Sequence, residues 1–212
     1  LLSGLIAAFL PLAVRDSFQV QFWAATGTPI LTYWFLSGIF TLAALVLIFL
    51  SAVDFRLRII PDQSNALIAF LGVGVTAVEY FYGLFGELQG SFVGHYASLF
   101  GIRGNVWMNH ILAAAIGIVF FSAIAIISRG RGMGWGDVKL AGAGGFLLGW
   151  PDAELALLLA FILGAAGSIL LLIGRRAGMK SLVPFGPFIS IGFLLIIFFG
   201  KTLMDGYFTL FP

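Results

Sequence analysis

The sequence predicts an all-α protein that crosses a membrane several times, and three observations support this class. Of its 212 residues, 61% are hydrophobic and only 9% are charged, whereas about 25% of the residues of soluble domains carry charge. The mean hydropathy is +1.10. Seven apolar segments follow one another along the chain, most of them close to the ~20 residues that a helix needs to cross a bilayer. We therefore expect a polytopic membrane protein with about seven transmembrane helices, in a single domain over residues 1–212.

Each apolar segment is bounded by polar, glycine or proline residues. The segments cover residues 1–14, 29–53, 63–85, 107–128, 138–150, 152–174 and 184–203. The first is too short to span unless it continues upstream, and the chain begins inside it rather than at a methionine. We therefore expect a longer natural protein. Residues 86–106 are polar and rich in glycine, and they predict an extracytoplasmic loop or insertion, formed as a surface loop or an interfacial helix.

The composition also excludes several kinds of chemistry. The chain has no cysteine, which rules out disulfides, cysteine nucleophiles and thiolate zinc sites. His95 and His110 alone do not make a zinc site of the usual composition, and the sequence contains neither H-E-x-x-H nor G-x-S-x-G. The net charge of +2 gives no reason to expect a nucleic-acid partner. No metal or cofactor is therefore predicted, and the lipid bilayer is the expected surrounding.

The distribution of basic residues predicts the orientation. The loops after the second, fourth and sixth segments contain Arg56, Arg58, Arg129, Arg131, Lys139, Arg175, Arg176 and Lys180, whereas the opposite side has only Arg15, Arg103 and Lys201. Short cytoplasmic loops carry an excess of Lys and Arg, so the first set is expected in the cytoplasm. Asp54 and Asp137 are two crossings apart in this arrangement. Both are therefore expected at the cytoplasmic face.

These two aspartates are the strongest candidates for chemistry. Asp54 ends one apolar segment and Asp137 begins another, and neither has a polar spacer that would carry it into bulk water. A lone acid at such a boundary is often only a solvated helix end. Two carboxylates placed together, however, share a proton, and such a pair can activate a water and protonate a leaving amine. The sequence thus predicts an aspartate dyad that hydrolyses peptides, with Gly134 and Gly136 allowing close approach of the backbone around Asp137.

Other residues near the dyad have simpler interpretations. Asp62 is expected to be the N-cap of the helix that follows it. Lys139 would either bias the dyad toward ionisation or anchor its helix at the headgroups, and the anchor is favoured. Pro184 and Gly186, in a Pro-Phe-Gly-Pro turn, form either a rigid helix entry or a wall of the cleft. Glu79 is interpreted as a solvated helix end.

Three motifs together resemble those of the type IV prepilin peptidases, which are membrane aspartic proteases of the GxGD kind. They are GMGWGDVKL at residues 132–140, Asp54 with the Ile-Pro-Asp element at residues 60–62, and the Pro-Phe-Gly-Pro turn at residues 184–187. The resemblance covers most of the chain, with the motifs in the family's order. It implies that Asp54 and Asp137 are the catalytic pair and that Asp62 is only a neighbour.

The resemblance also implies a substrate and a location. The expected reaction removes a short basic leader from prepilins or pseudopilins after a glycine, at the cytoplasmic side of the bacterial inner membrane. Many members also methylate the new amino terminus with S-adenosylmethionine, and many carry an amino-terminal span and a cytoplasmic segment with paired cysteines. Because that region is absent here, the methyltransferase activity and its cofactor are not assigned. The oligomeric state is not predicted.

Two other functions compete with this interpretation. Presenilin-like and signal-peptide-peptidase-like proteases share G-x-G-D, but their first aspartate follows a tyrosine and they carry a P-A-L element, whereas here Asp54 follows Val53 and the late motif is Pro-Phe-Gly-Pro. A cation-coupled transporter would use the aspartates as ion ligands. Transporter sites tend to lie near the midplane within repeated halves, and the sequence shows no such repeat.

Overall fold

Among the residues that the computed structural model describes, all regular secondary structure is helical. The structure describes residues 2–17, 30–84, 91–100, 104–130, 132–173 and 184–210. In these ranges there are seven α-helices: α1 (Leu2–Ser17), α2 (Ile30–Leu57), α3 (Asp62–Tyr82), α4 (Val106–Ile127), α5 (Trp135–Leu148), α6 (Asp152–Ile173) and α7 (Gly186–Leu210). A 3₁₀ helix, Gly94–Phe100, lies between α3 and α4.

The prediction of an all-α polytopic membrane protein is confirmed. Five helices, α2, α3, α4, α6 and α7, are long and apolar enough to cross a membrane. The other two described helices are shorter, with 16 residues in α1 and 14 in α5. Of the seven segments expected to be transmembrane helices, five therefore meet the length and composition of a span.

Several helix boundaries differ from the predicted ones, and two of these differences concern the aspartates. Helix α2 continues to Leu57 instead of ending at residue 53, so Asp54 lies inside its last turn. Helix α5 begins at Trp135 instead of residue 138, which places Asp137 in its first turn. In both cases the helix extends beyond the purely apolar run because the helical hydrogen bonds do not depend on the hydrophobicity of the residue.

Four helices form the centre of the molecule. Helix α2 packs against α3 and α7, and α5 packs against both α3 and α7, so that the four make a ring. Helix α4 covers α5 from outside, α6 covers α7, and α1 lies against α2 and α7. Because α2 and α4 end where α3, α5 and α7 begin, the Asp54 and Asp137 turns lie at one end of this bundle.

Small residues allow these helices to approach closely. A Cβ at Gly145 of α5 would lie 2.9 Å from the carbonyl oxygen of Ala113 in α4, and one at Gly72 of α3 would lie 2.9 Å from the carbonyl oxygen of Phe146. A Cβ at Gly192 of α7 would overlap the carbonyl oxygen of Ala156 in α6. Interfaces of this kind are typical of membrane helices, whose backbones pack on glycine and alanine.

The middle of the region between α3 and α4 is part of the packed bundle. Ser91, Phe92 and Val93 are all buried. Asp152, in the first turn of α6, accepts hydrogen bonds from Ser91 Oγ and from the backbone N–H of Phe92, each at 2.7 Å. The expectation of a surface loop or interfacial helix is therefore wrong for residues 91–93. Residues 85–90 and 101–103, with Arg103, lie outside the described residues.

Candidate active site

Asp54 is a buried carboxylate that lies at the contact between α2 and α7. Its side chain is 5% exposed. The helix ends just beyond it, where Arg58 N donates to Asp54 O at 2.8 Å and Arg58 adopts a φ of +55°. Asp54 Oδ2 accepts a hydrogen bond from the backbone N–H of Gly186 at 3.1 Å. The N–H groups at a helix start have no partner within the helix, so a carboxylate is a favourable partner for them.

The close contact between the start of α7 and Asp54 requires a glycine at position 186. It is the first residue of α7 and is buried. A Cβ at this position would lie 2.6 Å from Asp54 Oδ2 and 3.1 Å from Ile60 Cδ1. Any other residue would therefore have to push the carboxylate away from the helix start. Pro184, two residues earlier, is half-buried at the entry to α7.

Asp137 is held in a similar way at the start of α5. It is the third residue of the helix and 7% exposed. Its Oδ2 accepts a hydrogen bond from Gly134 N at 3.1 Å, and its own N–H donates to Gly134 O at 3.1 Å. Asp137 lies outside the five candidate spans. Burial raises its pKa to about 6, the Gly134 hydrogen bond opposes this rise, and the nearby Asp54 carboxylate adds to it.

The side chain of Ile60 links the two aspartate sites. A Cβ at Gly136, next to Asp137, would lie 3.0 Å from Ile60 Cβ, and one at Gly186, which binds Asp54, would lie 3.1 Å from Ile60 Cδ1. The short segment between α2 and α3 therefore contacts the starts of both α5 and α7. Ile60 thus lies between the start of α5, which carries Asp137, and the glycine that hydrogen-bonds Asp54.

Each carboxylate keeps one oxygen for other chemistry. Asp54 and Asp137 both use Oδ2 for a backbone hydrogen bond. For Oδ1 of either residue, the structure records no protein hydrogen bond among the described residues. Two carboxylates arranged in this way can share a proton and hold a water between them.

Asp62 and Lys139 form an ion pair at the surface. The N-cap of α3 is Pro61, and Asp62 is the first helical residue and makes no capping hydrogen bond, so the predicted N-cap role is wrong. Lys139 Nζ instead donates to both carboxylate oxygens of Asp62 at 2.8 Å. The two side chains are 53% and 69% exposed. This ion pair thus links α5 to α3.

Glu79 is the main polar residue that the sequence interpretation missed. The solvated helix end expected there is wrong, because Glu79 is 2% exposed and its Oε2 lies 3.1 Å from His110 Nε2. The available signal was that both residues occur within apolar segments, where a polar side chain needs a partner.

The basic residues near the site occupy the same end of the bundle. Arg56 lies in the last turn of α2, and Arg58 directly follows that helix. Arg129 follows α4, and Lys139 lies in the first turns of α5. The remaining four of the eight counted on this side lie outside the described residues: Arg131, Arg175, Arg176 and Lys180. Within the part of the chain that the structure describes, no three His, Asp or Glu side chains are grouped to hold a metal ion.

Comparison with known proteins identifies the family of this chain. The profile of the type IV leader peptidase family matches residues 41–169, more than half of the chain and a range that includes both aspartates. The chain belongs to the type IV leader peptidase family. No solved structure matches it.

Three curated relatives in this family have the same name, prepilin leader peptidase/N-methyltransferase. The protein of Bacillus subtilis is 35% identical over 102 residues, which are 48% of this chain and 40% of the relative. That of Xanthomonas campestris is 27% identical over 161 residues, 76% of this chain and 50% of the relative. That of Burkholderia pseudomallei is 27% identical over 154 residues, 73% and 44%. The chain thus matches half or less of the length of these relatives.

Proposed function

We propose that this chain is a membrane aspartic endopeptidase that removes the short basic leader from type IV prepilins or pseudopilins after a glycine. The observation that carries the proposal is the pair of buried carboxylates, Asp54 and Asp137, which two helix starts hold at one end of the bundle in a chain of this family.

Asp54 and Asp137 share the proton work of peptide hydrolysis in this proposal. The ionised carboxylate takes a proton from a water molecule bound between the two free Oδ1 atoms, and the resulting hydroxide attacks the carbonyl carbon of the glycine. The protonated carboxyl hydrogen-bonds the carbonyl oxygen and gives its proton to the departing amine. The raised pKa of Asp137, about 6, lets it keep a proton to a higher pH than an exposed aspartate would. No metal or cofactor takes part in these steps.

The location of the site suits a substrate that is half polar and half apolar. The basic leader would remain with the Arg-rich end of the bundle, which we assign to the cytoplasm, while about twenty apolar residues lie among lipid and helices. We assign the protein to the bacterial inner membrane. Because the chain covers only part of its relatives, we propose the peptidase reaction alone, without S-adenosylmethionine or methyl transfer.

Co-expression with a precursor tests this proposal. A precursor with a short basic leader, a glycine and an apolar helix should gain mobility on a gel, and mass spectrometry should place the new amino terminus directly after the glycine. A precursor with leucine in place of that glycine is the matched control and should stay uncut. If the folded enzyme leaves several such glycine-containing precursors intact, the proposal is wrong.

A further inference from the structure

A buried polar cluster lies at the end of the bundle opposite the aspartates. Glu79 lies in the last turn of α3, and Asn109 and His110 lie in the first turn of α4. Their side chains are only 1–2% exposed. Polar groups in such surroundings are costly unless they are hydrogen-bonded. We define these three residues as the distal cluster.

The distal cluster binds the carboxyl-terminal end of α5. His110 Nδ1 lies 2.8 Å from the carbonyl oxygen of Phe146, one of the last carbonyls of that helix. Asn109 Nδ2 donates to Trp150 O at 3.0 Å, and Trp150 N donates to Asn109 Oδ1 at 3.0 Å. Two side chains of α4 therefore bind backbone groups that a helix end leaves without intrahelical partners.

Gly149 provides the room for this arrangement. It has a φ of +72°, which glycine adopts most readily. A Cβ there would lie 2.5 Å from Asn109 Oδ1 and 3.2 Å from the ring of His110. The glycine that ends α5 thus lets both side chains reach the backbone.

The hydrogen bonds also fix the tautomer of His110. A carbonyl oxygen only accepts, so the proton between His110 and Phe146 lies on Nδ1. The opposite nitrogen, Nε2, lies 3.1 Å from Glu79 Oε2. The contact is a hydrogen bond only if one proton lies between these two atoms, on either the imidazole or the carboxyl group. Glu79 therefore holds the ring in the orientation in which Nδ1–H points at α5.

We propose that the distal cluster is a positioning site, which sets the axial height of α5 and thereby the place of Asp137 beside Asp54. Helix α5 carries Asp137 at its start and Phe146 near its end, about 13 Å apart along the axis. A slip of one residue, about 1.5 Å, would break all three bonds to the distal cluster in surroundings that offer little water. Glu79, Asn109 and His110 act on the reaction only through this helix.

The proposal rests on the peptidase function for its kinetic test, but its geometric test needs no turnover. The chain has no cysteine, so Asp62→Cys with Lys139→Cys gives a clean pair across the α3–α5 contact. Thiosulfonate cross-linkers of graded length then report the height of α5. His110→Phe and Glu79→Leu should each change the linker length that reacts fastest, whereas Glu79→Gln, whose amide still donates to Nε2, should keep the parent's pattern.

The kinetic test uses the chain without added cysteines. Per folded enzyme, His110→Phe and Glu79→Leu should lower kcat at least tenfold with KM within twofold, because the substrate still binds while Asp137 is misplaced. Glu79→Gln should stay within twofold of the parent in both constants. Ile197→Ala is the control, because it creates a cavity in α7 away from the cluster. It should lower the melting temperature without changing kcat or the cross-linking pattern.

The possible outcomes separate the two proposals. An unchanged cross-linking pattern in both His110→Phe and Glu79→Leu overturns the positioning role, even if the variants are less stable. An altered pattern with unchanged kcat overturns the link to Asp137. If the parent cleaves no precursor, the proposed function fails, and cross-linking alone decides whether the distal cluster sets the height of α5. If the His110→Phe protein does not accumulate, Glu79→Leu provides the same comparison.

Discussion

At the scale of single residues, the two aspartates have equivalent environments. Asp54 and Asp137 are both buried, and each gives Oδ2 to a backbone N–H at the start of a helix, from Gly186 and Gly134 respectively. An N–H donor favours the ionised form while burial disfavours it. For Asp137, which lies outside the candidate spans, burial has the larger effect and raises the pKa.

The first prediction concerns this pair. Asp54→Asn and Asp137→Asn should each reduce peptidase activity at least a thousandfold, because asparagine neither takes a proton from water nor returns one to the amine. The double variant should lose little more, since both groups act on the same water. Precursor cleavage is measured at equal membrane abundance. Substantial activity in Asp137→Asn would exclude an aspartic protease, and an inactive Asp62→Asn beside an active Asp54→Asn would mean that the upstream carboxylate is wrongly assigned.

The second prediction concerns the pH dependence of the pair. Because the pKa of Asp137 is raised to about 6, the proton that the dyad needs is lost as the pH rises through that region. The logarithm of kcat should therefore fall with a slope of about −1 per pH unit above the upper apparent pKa of the pair. A kcat that stays constant to pH 9 in enzyme that remains folded would contradict a shared proton.

The third prediction concerns Gly186. Alanine there would place a Cβ 2.6 Å from Asp54 Oδ2, so we expect the carboxylate to move, activity to fall at least tenfold and stability to fall by about 1–3 kcal/mol. Gly38→Ala in α2 is the control, because a Cβ at that position meets nothing within 4 Å. Kinetics and thermal unfolding in detergent measure both effects. A Gly186→Ala enzyme with the parent's activity would show that the contact is not needed.

The sequence indicated which aspartates are candidates for chemistry, but not which residues the other acids contact. An acid at the edge of an apolar run is visible locally, so Asp54 and Asp137 could be named. The partner of Asp62 is Lys139, 77 positions away, and that of Glu79 is His110, 31 positions away. Such contacts depend on how the helices pack, which no local pattern contains. Asp62 was therefore assigned to a cap and Glu79 to solvent.

At the scale of elements, a single side chain fastens the segment between α3 and α4 to α6. Asp152 accepts hydrogen bonds from both Ser91 Oγ and Phe92 N. The ring of Phe92 also packs edge-on against Phe40 of α2, with ring centroids 4.9 Å apart. Asp152 lies in the first turn of α6, where the helix dipole favours an acid. The sequence could not show that residues 91–93 fold back onto that turn.

The fourth prediction tests this attachment. Asp152→Ala leaves two buried donors without their acceptor, so we expect a loss of about 2–4 kcal/mol in the free energy of unfolding and faster proteolysis within residues 86–106. Asp62→Ala is the matched control, since exposed ion pairs contribute only about 0–1 kcal/mol. Equal stability of the two variants would show that Asp152 does not hold the segment.

At the scale of the whole molecule, the ring of α2, α3, α5 and α7 gathers both aspartates at the end that also carries Arg56, Arg58, Arg129 and Lys139. The order of the apolar segments was sufficient to predict this shared end, because each crossing reverses the direction of the chain. It was not sufficient to show which helices touch, since apolar residues occur on every side of these helices and do not mark the buried face.

The fifth prediction is the topology. In the cysteine-free chain, an impermeant maleimide should label Arg58→Cys and Arg129→Cys only from the cytoplasmic side, and Gly104→Cys only from outside. Because Arg58 and Arg129 lie at the same end of the bundle, each variant serves as a control for the other. Labelling of Arg58→Cys and Arg129→Cys from opposite sides would separate the two aspartates and end the dyad proposal.

The shortness of α5 also bears on how the protein is made. Its 14 residues extend about 21 Å, less than the ~30 Å of bilayer hydrocarbon, and four of them are glycine, so the segment has a weak tendency to partition into lipid by itself. Its stable environment is the surface offered by α3, α4 and α7, and α7 is synthesised after it. During biosynthesis Asp137 would therefore reach its place only after α7 has left the ribosome.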